Sequence, residues 1–376
     1  MANSQQPLLQ PYLSTALQLS NRIVMASLTR GRATNKELAP TELHAAYYSQ
    51  RASAGLILTE SAWVSEKAIS FINIPGIYSE AQIKGWQLVT NAVHEQQGKI
   101  FLQIAHSGSV SHPYFFNGEL PKGPSAINPQ EKVFTPSGFT DTVTPDAFTL
   151  EEIKATIAAY KLAALHAKQA GFDGIELHAQ LFTLVPQFLS AITNQRTDEY
   201  GGSIENRSRL LFELLDTVKE VYPANRIGVK FTPAAFNNGI IKPDEHTLPT
   251  YAYILNKLNE EDLAYVQIVG PVIDLKGTVL EELSDNFFGY FRKLYKGTLM
   301  ANAGFDQESA NALIASGQAD LVSFGKHYIA NPDLKERFEY NVPLAVADQN
   351  TYYAGEEKGY TDYTKSQDLT ETKSTS

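Results

Sequence analysis

Six polar residues stand at or next to the ends of short apolar runs in this 376-residue chain: Thr29, Gln103, His106, His178, Lys230 and Lys326. His178 closes "GIELHA" and can donate a hydrogen bond to a substrate oxygen, or it can be a strand-end histidine packed against the interior beside Ile175 and Leu177. Taken singly, Thr29 and Gln103 are just as well read as satisfied polar residues at a strand end, and an isolated lysine as a solvated charge. No cysteine occurs. Disulfides, thiolate nucleophiles, zinc–thiolate sites and cysteinyl cofactor links are therefore excluded, and any redox work falls to a bound cofactor. The sequence suggests no metal site.

The elements that must position these residues are eight apolar runs: 22–29, 56–61, 99–105, 174–179, 227–233, 265–270, 297–303 and 321–326. Near-continuous Val, Ile and Leu indicate strands buried on both faces, as in a parallel sheet covered by helices. Apolar residues at helical spacing, among them Ile153, Ile157, Tyr160, Ala164 and Ala167, predict a helix over 149–171 that Gly171 stops. Helices are expected also at 206–222 and 307–317. Strand and helix alternating eight times predict a single (β/α)8 TIM barrel, with its chemistry where the strands end. The segment 106–148, rich in Pro, Gly, Ser and Phe, is too long for a simple connection and is expected to cap the mouth after the third strand. The barrel is expected over 1–363, and the polar residues 364–376 are read as a disordered tail.

Hydrophobic residues at 43% and charged residues at 19% describe a chain that can bury a large core. The net charge of −10 argues against nucleic acid and acidic membrane surfaces as partners, because phosphate binding needs clustered Lys and Arg. The start "MANSQQPLLQPYLSTALQLSNR" lacks a basic segment followed by a long apolar run, so a cytoplasmic location is expected. A small-molecule substrate is the expected partner, with monomer and homodimer both open.

The pieces "LSNRIVMASLTR", "YYSQRASAGLILTES", "PGIYSE", "AGFDGIELH", "TNQRTDEYGGSIENR" and "FGKHYIANPDL", in this order, resemble the old yellow enzyme family of FMN-dependent (β/α)8 flavoproteins over nearly the whole chain. The resemblance implies FMN as cofactor and NADPH or NADH as reductant. It places Ser27, Leu28 and Thr29 after the first strand, with the Thr29 hydroxyl at the flavin C4 carbonyl region. Gln103 falls at the pyrimidine edge. Lys230 takes the place of the usual Arg beside N1 and the C2 carbonyl, where a cation stabilises the anionic reduced ring. Ala303, Gly304, Gly325 and Lys326 match the phosphate site after strands seven and eight. "NQRTDEYGGSIENR" is read as structural, with Gly201-Gly202 in a turn and Ser203 capping a helix.

Where relatives read roughly H-G-A-N-G-Y-L-L-D-Q-F-L, this chain has "HAQLFTLVPQFL" at 178–189. His178 stays, but the Asn becomes Leu181, the Tyr becomes Thr183 and the Asp becomes Pro186. The resemblance implies that His and Asn together hold the substrate oxygen; losing such a donor costs about 10²–10³ in rate. The Tyr would supply the proton, worth about 10²–10⁴, and a threonine hydroxyl is too weak an acid to replace it. Ala105 replaces a Trp, Ser109 an Arg, Ser27 a Pro and Ser61 a small Gly or Ala, which implies a pocket widened and made more apolar. His178, Thr183 and Tyr360 are the catalytic candidates, with His106 or Tyr360 as a possible second group beside His178. Ala105, Leu181, Tyr78 and Tyr114 are the pocket candidates, with a structural role as the alternative for Tyr78. The expected activity is reduction of an activated C=C with electrons from NAD(P)H and atypical proton delivery, from water or from Tyr114 or Tyr360. Redox-neutral chemistry, as in an isomerase, desaturase or cyclase, and flavin binding without turnover are the alternatives.

Overall fold

The computed structural model describes residues 6–180, 182–236 and 239–366. Eight parallel strands form the barrel: β1 (Ile23–Met25), β2 (Leu56–Leu58), β3 (Ile100–Ala105), β4 (Gly174–Ala179), β5 (Ile227–Phe231), β6 (Tyr265–Val269), β7 (Leu299–Asn302) and β8 (Leu321–Phe324). Each pairs with the next in the chain, and β8 returns to β1 with Val322 opposite Ile23, which closes the sheet. All eight lie within the runs anticipated from the sequence.

The buried residues of these strands form two cores. Val24, Leu56, Leu58, Phe101, Tyr265, Met300 and Leu321 fill the lower barrel interior, closed below by Leu17 and Leu19. The alternate positions, such as Ile23, Ile57, Leu102, Leu177, Val229 and Ile268, pack outward against the helices. This is the two-residue period of a strand, apolar on both faces. Glycine is needed at two interior positions. A Cβ on Gly228 would lie 2.2 Å from the Tyr265 ring, and one on Gly174 would lie 2.5 Å from that of Phe101.

The helices follow the barrel plan: α1 (Glu42–Ser49), α2 (Glu80–Glu95), α3 (Leu150–Gln169), α4 (Ile204–Lys219), α5 (Thr247–Leu258), α6 (Phe287–Leu294), α7 (Gln307–Ala315) and α8 (Leu334–Tyr340). Thr149 caps α3 through its hydroxyl and Glu152 reaches back, a capping box. Gly171, at φ +87°, lies just beyond its end. Ser203 caps α4, and Asp306 caps α7. In "NQRTDEYGG" the Arg196 guanidinium pairs with Asp198 at 2.6 Å and donates to the carbonyls of Pro124 and Phe148, fastening the cap to the barrel.

Two segments cover the C-terminal end of the barrel. Within 106–148, Lys132–Thr135 and Gly138–Asp141 form an antiparallel hairpin. The chain after α8 returns over the mouth, held by arginines. Arg30 donates to the carbonyls of Tyr352 and Gly359, Arg32 to those of Thr351, Tyr352 and Lys358. Of the residues expected to form a disordered tail, Thr364 and Ser366 are held instead. Arg337 donates to the Thr364 carbonyl, and Ser366 donates twice to Asp333 Oδ2 at 2.6 Å. Residues 367–376 lie outside the described residues.

Candidate active site

At the C-terminal ends of the strands lies a cavity of about 450 Å³. Its floor carries Ser27, Leu28 and Thr29 after β1, Ser61 after β2, Gln103 of β3, His178 of β4, Lys230 of β5, Asn302 of β7 and Gly325 after β8. Its mouth carries Trp63, Phe71, Phe139, Phe182 and Tyr353. The rings of Phe71, Phe134 and Phe139 form a run at 4.9 and 5.0 Å, and Tyr353 lies 5.8 Å from Phe71. Cap, barrel and returning C-terminal segment thus meet in one aromatic wall.

The floor is a connected polar network. The Gln103 carbonyl accepts from Ser27 Oγ at 2.7 Å and from Ser61 Oγ at 2.5 Å, and its amide donates to Glu176 at 2.7 Å. Ser61 also lies 3.0 Å from His178 Nδ1. Burial raises the Glu176 carboxyl and lowers the Lys230 ammonium, and each opposes the shift of the other by its charge. His178 is lowered to about 3 by burial and by the charge of Lys230, so its imidazole is neutral at ordinary pH and binds by hydrogen bonding. The substitutions at 27 and 61 therefore made the floor more polar; the apolar character expected there belongs to the mouth.

Several expected site residues lie elsewhere. Tyr360 is fully buried, stacked on Tyr47 at 3.9 Å with the cations of Arg30 and Arg32 over its ring, and is absent from the cavity lining. A ring that fills a cationic cluster cannot reach a substrate, and burial raises its phenol well above the usual range. Tyr114 is 55% exposed in the turn Pro113–Phe116 and does not line the cavity. Tyr78 is half-buried against the core, its backbone N–H donates to Gln82 at 2.8 Å, and it does not line the cavity. Ala105 is fully buried, off the lining, and in register with Trp63, which does line the cavity, so the small residue does not widen the pocket. His106 is turned into the protein, accepting from Gly108 N–H at 2.9 Å and edge-on to Phe148. Ser109 donates to Gln187 instead of facing the cavity. Leu181 lies outside the described residues.

Thr183 does line the cavity, but its hydroxyl is committed to backbone: it lies 2.8 Å from the His178 carbonyl and 2.5 Å from that of Gln180. That hydroxyl pins the turn after β4 and has no proton to spare. The same turn holds Phe182 at φ +72°, a conformation that favours glycine and strains a bulky residue by about 1–3 kcal/mol. Phe182 is 44% exposed, so core packing does not offset this cost. Phe182→Gly should therefore raise the thermal unfolding midpoint while raising KM for a bulky substrate severalfold. A lower midpoint with unchanged KM would mean that the ring serves packing rather than binding.

The donors fit a flavin. An amide, a hydroxyl and a buried cation converge on one cavity floor, and Lys230 there has no ion partner within 4 Å among the described residues. Beside Asn302, Ala303 and Gly304 both take positive φ, 78° and 77°, a turn of successive N–H groups suited to an anion. A Cβ on Gly304 would meet nothing within 4 Å. Lys326, after Gly325, is exposed and free to approach a phosphate from the rim.

A closed parallel barrel with this floor at its C-terminal face places a donor-lined cofactor cavity where such barrels carry their chemistry. Residues 7–345 match the NADH:flavin oxidoreductase / NADH oxidase family. The chain is 37% identical over 366 residues to the putative 12-oxophytodienoate reductase 2 of Oryza sativa subsp. japonica, covering 95% of this chain and 93% of that one. It is 35% identical to the flavin oxidoreductase hxnT of Emericella nidulans, covering 95% and 97%. Among solved structures, morphinone reductase in complex with tetrahydroNAD is similar with a TM-score of 0.87 at 39% identity, covering 95% and 97%. The old yellow enzyme homologue from Zymomonas mobilis is similar with a TM-score of 0.88 at 36% identity, covering 95% and 99%. The chain belongs to the old yellow enzyme family and is an FMN-dependent oxidoreductase that uses NADH or NADPH.

Residues that sequence reasoning missed include Trp63, Phe71, Phe139, Gln180, Phe182 and Tyr353. Only Gln180 carried a local signal: it stands two residues beyond His178, just past the end of β4.

Proposed function

We propose that this enzyme reduces an activated C=C bond, with His178 holding the oxygen of the activating group. FMN, held there, would supply a carrier for the hydride of NAD(P)H, its two electrons included, on the way to the acceptor. Gln103, Lys230 and Thr29 would hold its ring, and Ala303, Gly304, Gly325 and Lys326 its phosphate. The neutral imidazole of His178 carries this reading, because it lines the cavity beside Lys230 and Ser61. There it can stabilise negative charge building on a carbonyl or nitro oxygen as the alkene accepts hydride.

The second alkene carbon needs a proton. Thr183 is committed, and Tyr360 and Tyr114 lie off the cavity. Tyr353 is the one phenol lining it among the described residues, and it is the proton donor in this reading. It replaces the notion of delivery from Tyr360 by a residue on the same returning segment.

The test is anaerobic. NADPH should bleach the flavin absorption, and 2-cyclohexenone should restore it with formation of the saturated ketone. Bleaching with no reoxidation by any enone, or an isomerised product without net NADPH consumption, would overturn net reduction in favour of redox-neutral chemistry.

A further inference from the structure

We propose that the Gln180 side-chain amide is the second hydrogen-bond donor to the substrate oxygen, acting beside His178. This rests on the reading that the site takes an acceptor with such an oxygen. One neutral imidazole supplies a single donor, whereas stabilising an oxyanion calls for more than one preorganised group. The described lining around His178 offers few alternatives. Ser27 and Ser61 already donate to Gln103, Thr183 to backbone, and the Asn302 amide to Ser323.

Gln180 meets the geometric requirement. It stands just past the end of β4, two residues beyond His178, and both line the same cavity. Ala179, between them, is fully buried on the opposite face. The turn holding Gln180 is fixed: its carbonyl accepts from the Thr183 N–H at 3.1 Å and from the Thr183 hydroxyl at 2.5 Å. The backbone is thus pinned while the side chain stays half-exposed at the cavity. Its side-chain NH2 group carries two donors for a ligand oxygen. Thr183 is on this view a positioning residue, acting through the turn that holds Gln180.

The experiment uses the FMN-loaded enzyme and two probes, 4-chlorophenol and its oxygen-free counterpart 4-chlorotoluene, titrated by the perturbation of the flavin absorption. Gln180→Leu should weaken 4-chlorophenol by about tenfold to a hundredfold, the loss of a hydrogen bond to a charged oxygen, and leave 4-chlorotoluene unchanged. Gln180→Glu keeps the size and adds a like charge, so it should weaken the phenolate further. FMN content and circular dichroism verify that each variant is folded and loaded. If His178→Leu weakens 4-chlorophenol while both Gln180 variants bind as wild type, the proposal for Gln180 is overturned and the oxygen-binding role of the site stands. If none of the three changes phenol binding, both are overturned.

Discussion

Tyr353→Phe should lower the rate of enone reduction by about 10²–10⁴, the range of a positioned general acid. The argument is one of elimination within the cavity. An alkene that takes hydride at one carbon must be protonated at the other, and the acid has to reach into the space above the floor. Thr183 lines that space, but its hydroxyl is held by the carbonyls of His178 and Gln180. Tyr360 is sealed against Tyr47, and Tyr114 faces solvent. Tyr353 sits on the segment clasped by Arg30 and Arg32 and packs beside Phe71, so its hydroxyl is carried by a firmly held backbone. Because Phe keeps the ring, the loss should fall on flavin reoxidation by the enone and leave enone KM nearly unchanged. The variant is compared with wild type by stopped-flow reoxidation, with deuterium incorporation from heavy water at the protonated carbon. Equal reoxidation rates would sink the assignment and leave cavity water as the proton source.

The barrel was legible because its cause is local. A strand buried on both faces must be apolar throughout, and the eight such runs mark the eight strands. Much of the floor was legible for the same reason: Thr29, Ser61, Gln103, His178 and Lys230 stand at strand ends or just beyond, where a barrel gathers its side chains. The mouth was not, because long-range contacts set it. Whether Tyr353 or Tyr360 faces the cavity depends on carbonyls of the returning segment held by arginines more than 300 residues away in the chain. Nothing within that segment encodes the answer. Ala105 misled in a similar way, since the residue that fills its surroundings, Trp63, belongs to another element aligned by sheet register. At 178–183, spacing three and five residues past His178 drew attention to Leu181 and Thr183. Gln180, just past the end of β4 and two residues beyond His178, lines the cavity as well.

His178→Leu should cost about 10²–10³ in the rate of enone reduction, as removal of an oxyanion donor does. The pH behaviour separates this role from that of a proton donor. Burial and the charge of Lys230 hold the imidazole at about 3, so it stays neutral across pH 5–9. Wild-type activity should therefore show no limb near the ordinary histidine value of about 6.5 that the variant lacks. Stability should respond instead. A histidine whose folded pKa is depressed binds fewer protons than its unfolded form between the two values, so its contribution is present above about 6.5 and lost as pH falls toward about 3. His44 and His106, each lowered to about 4 mainly by burial, act in the same direction. Wild type should thus lose thermal stability on acidification from pH 7.5 to 5, and His178→Leu should lose less over that interval. A wild-type rate profile that rises or falls through pH 6.5 and flattens in the variant would show that His178 titrates during turnover, which is incompatible with a neutral donor fixed between Lys230 and Ser61.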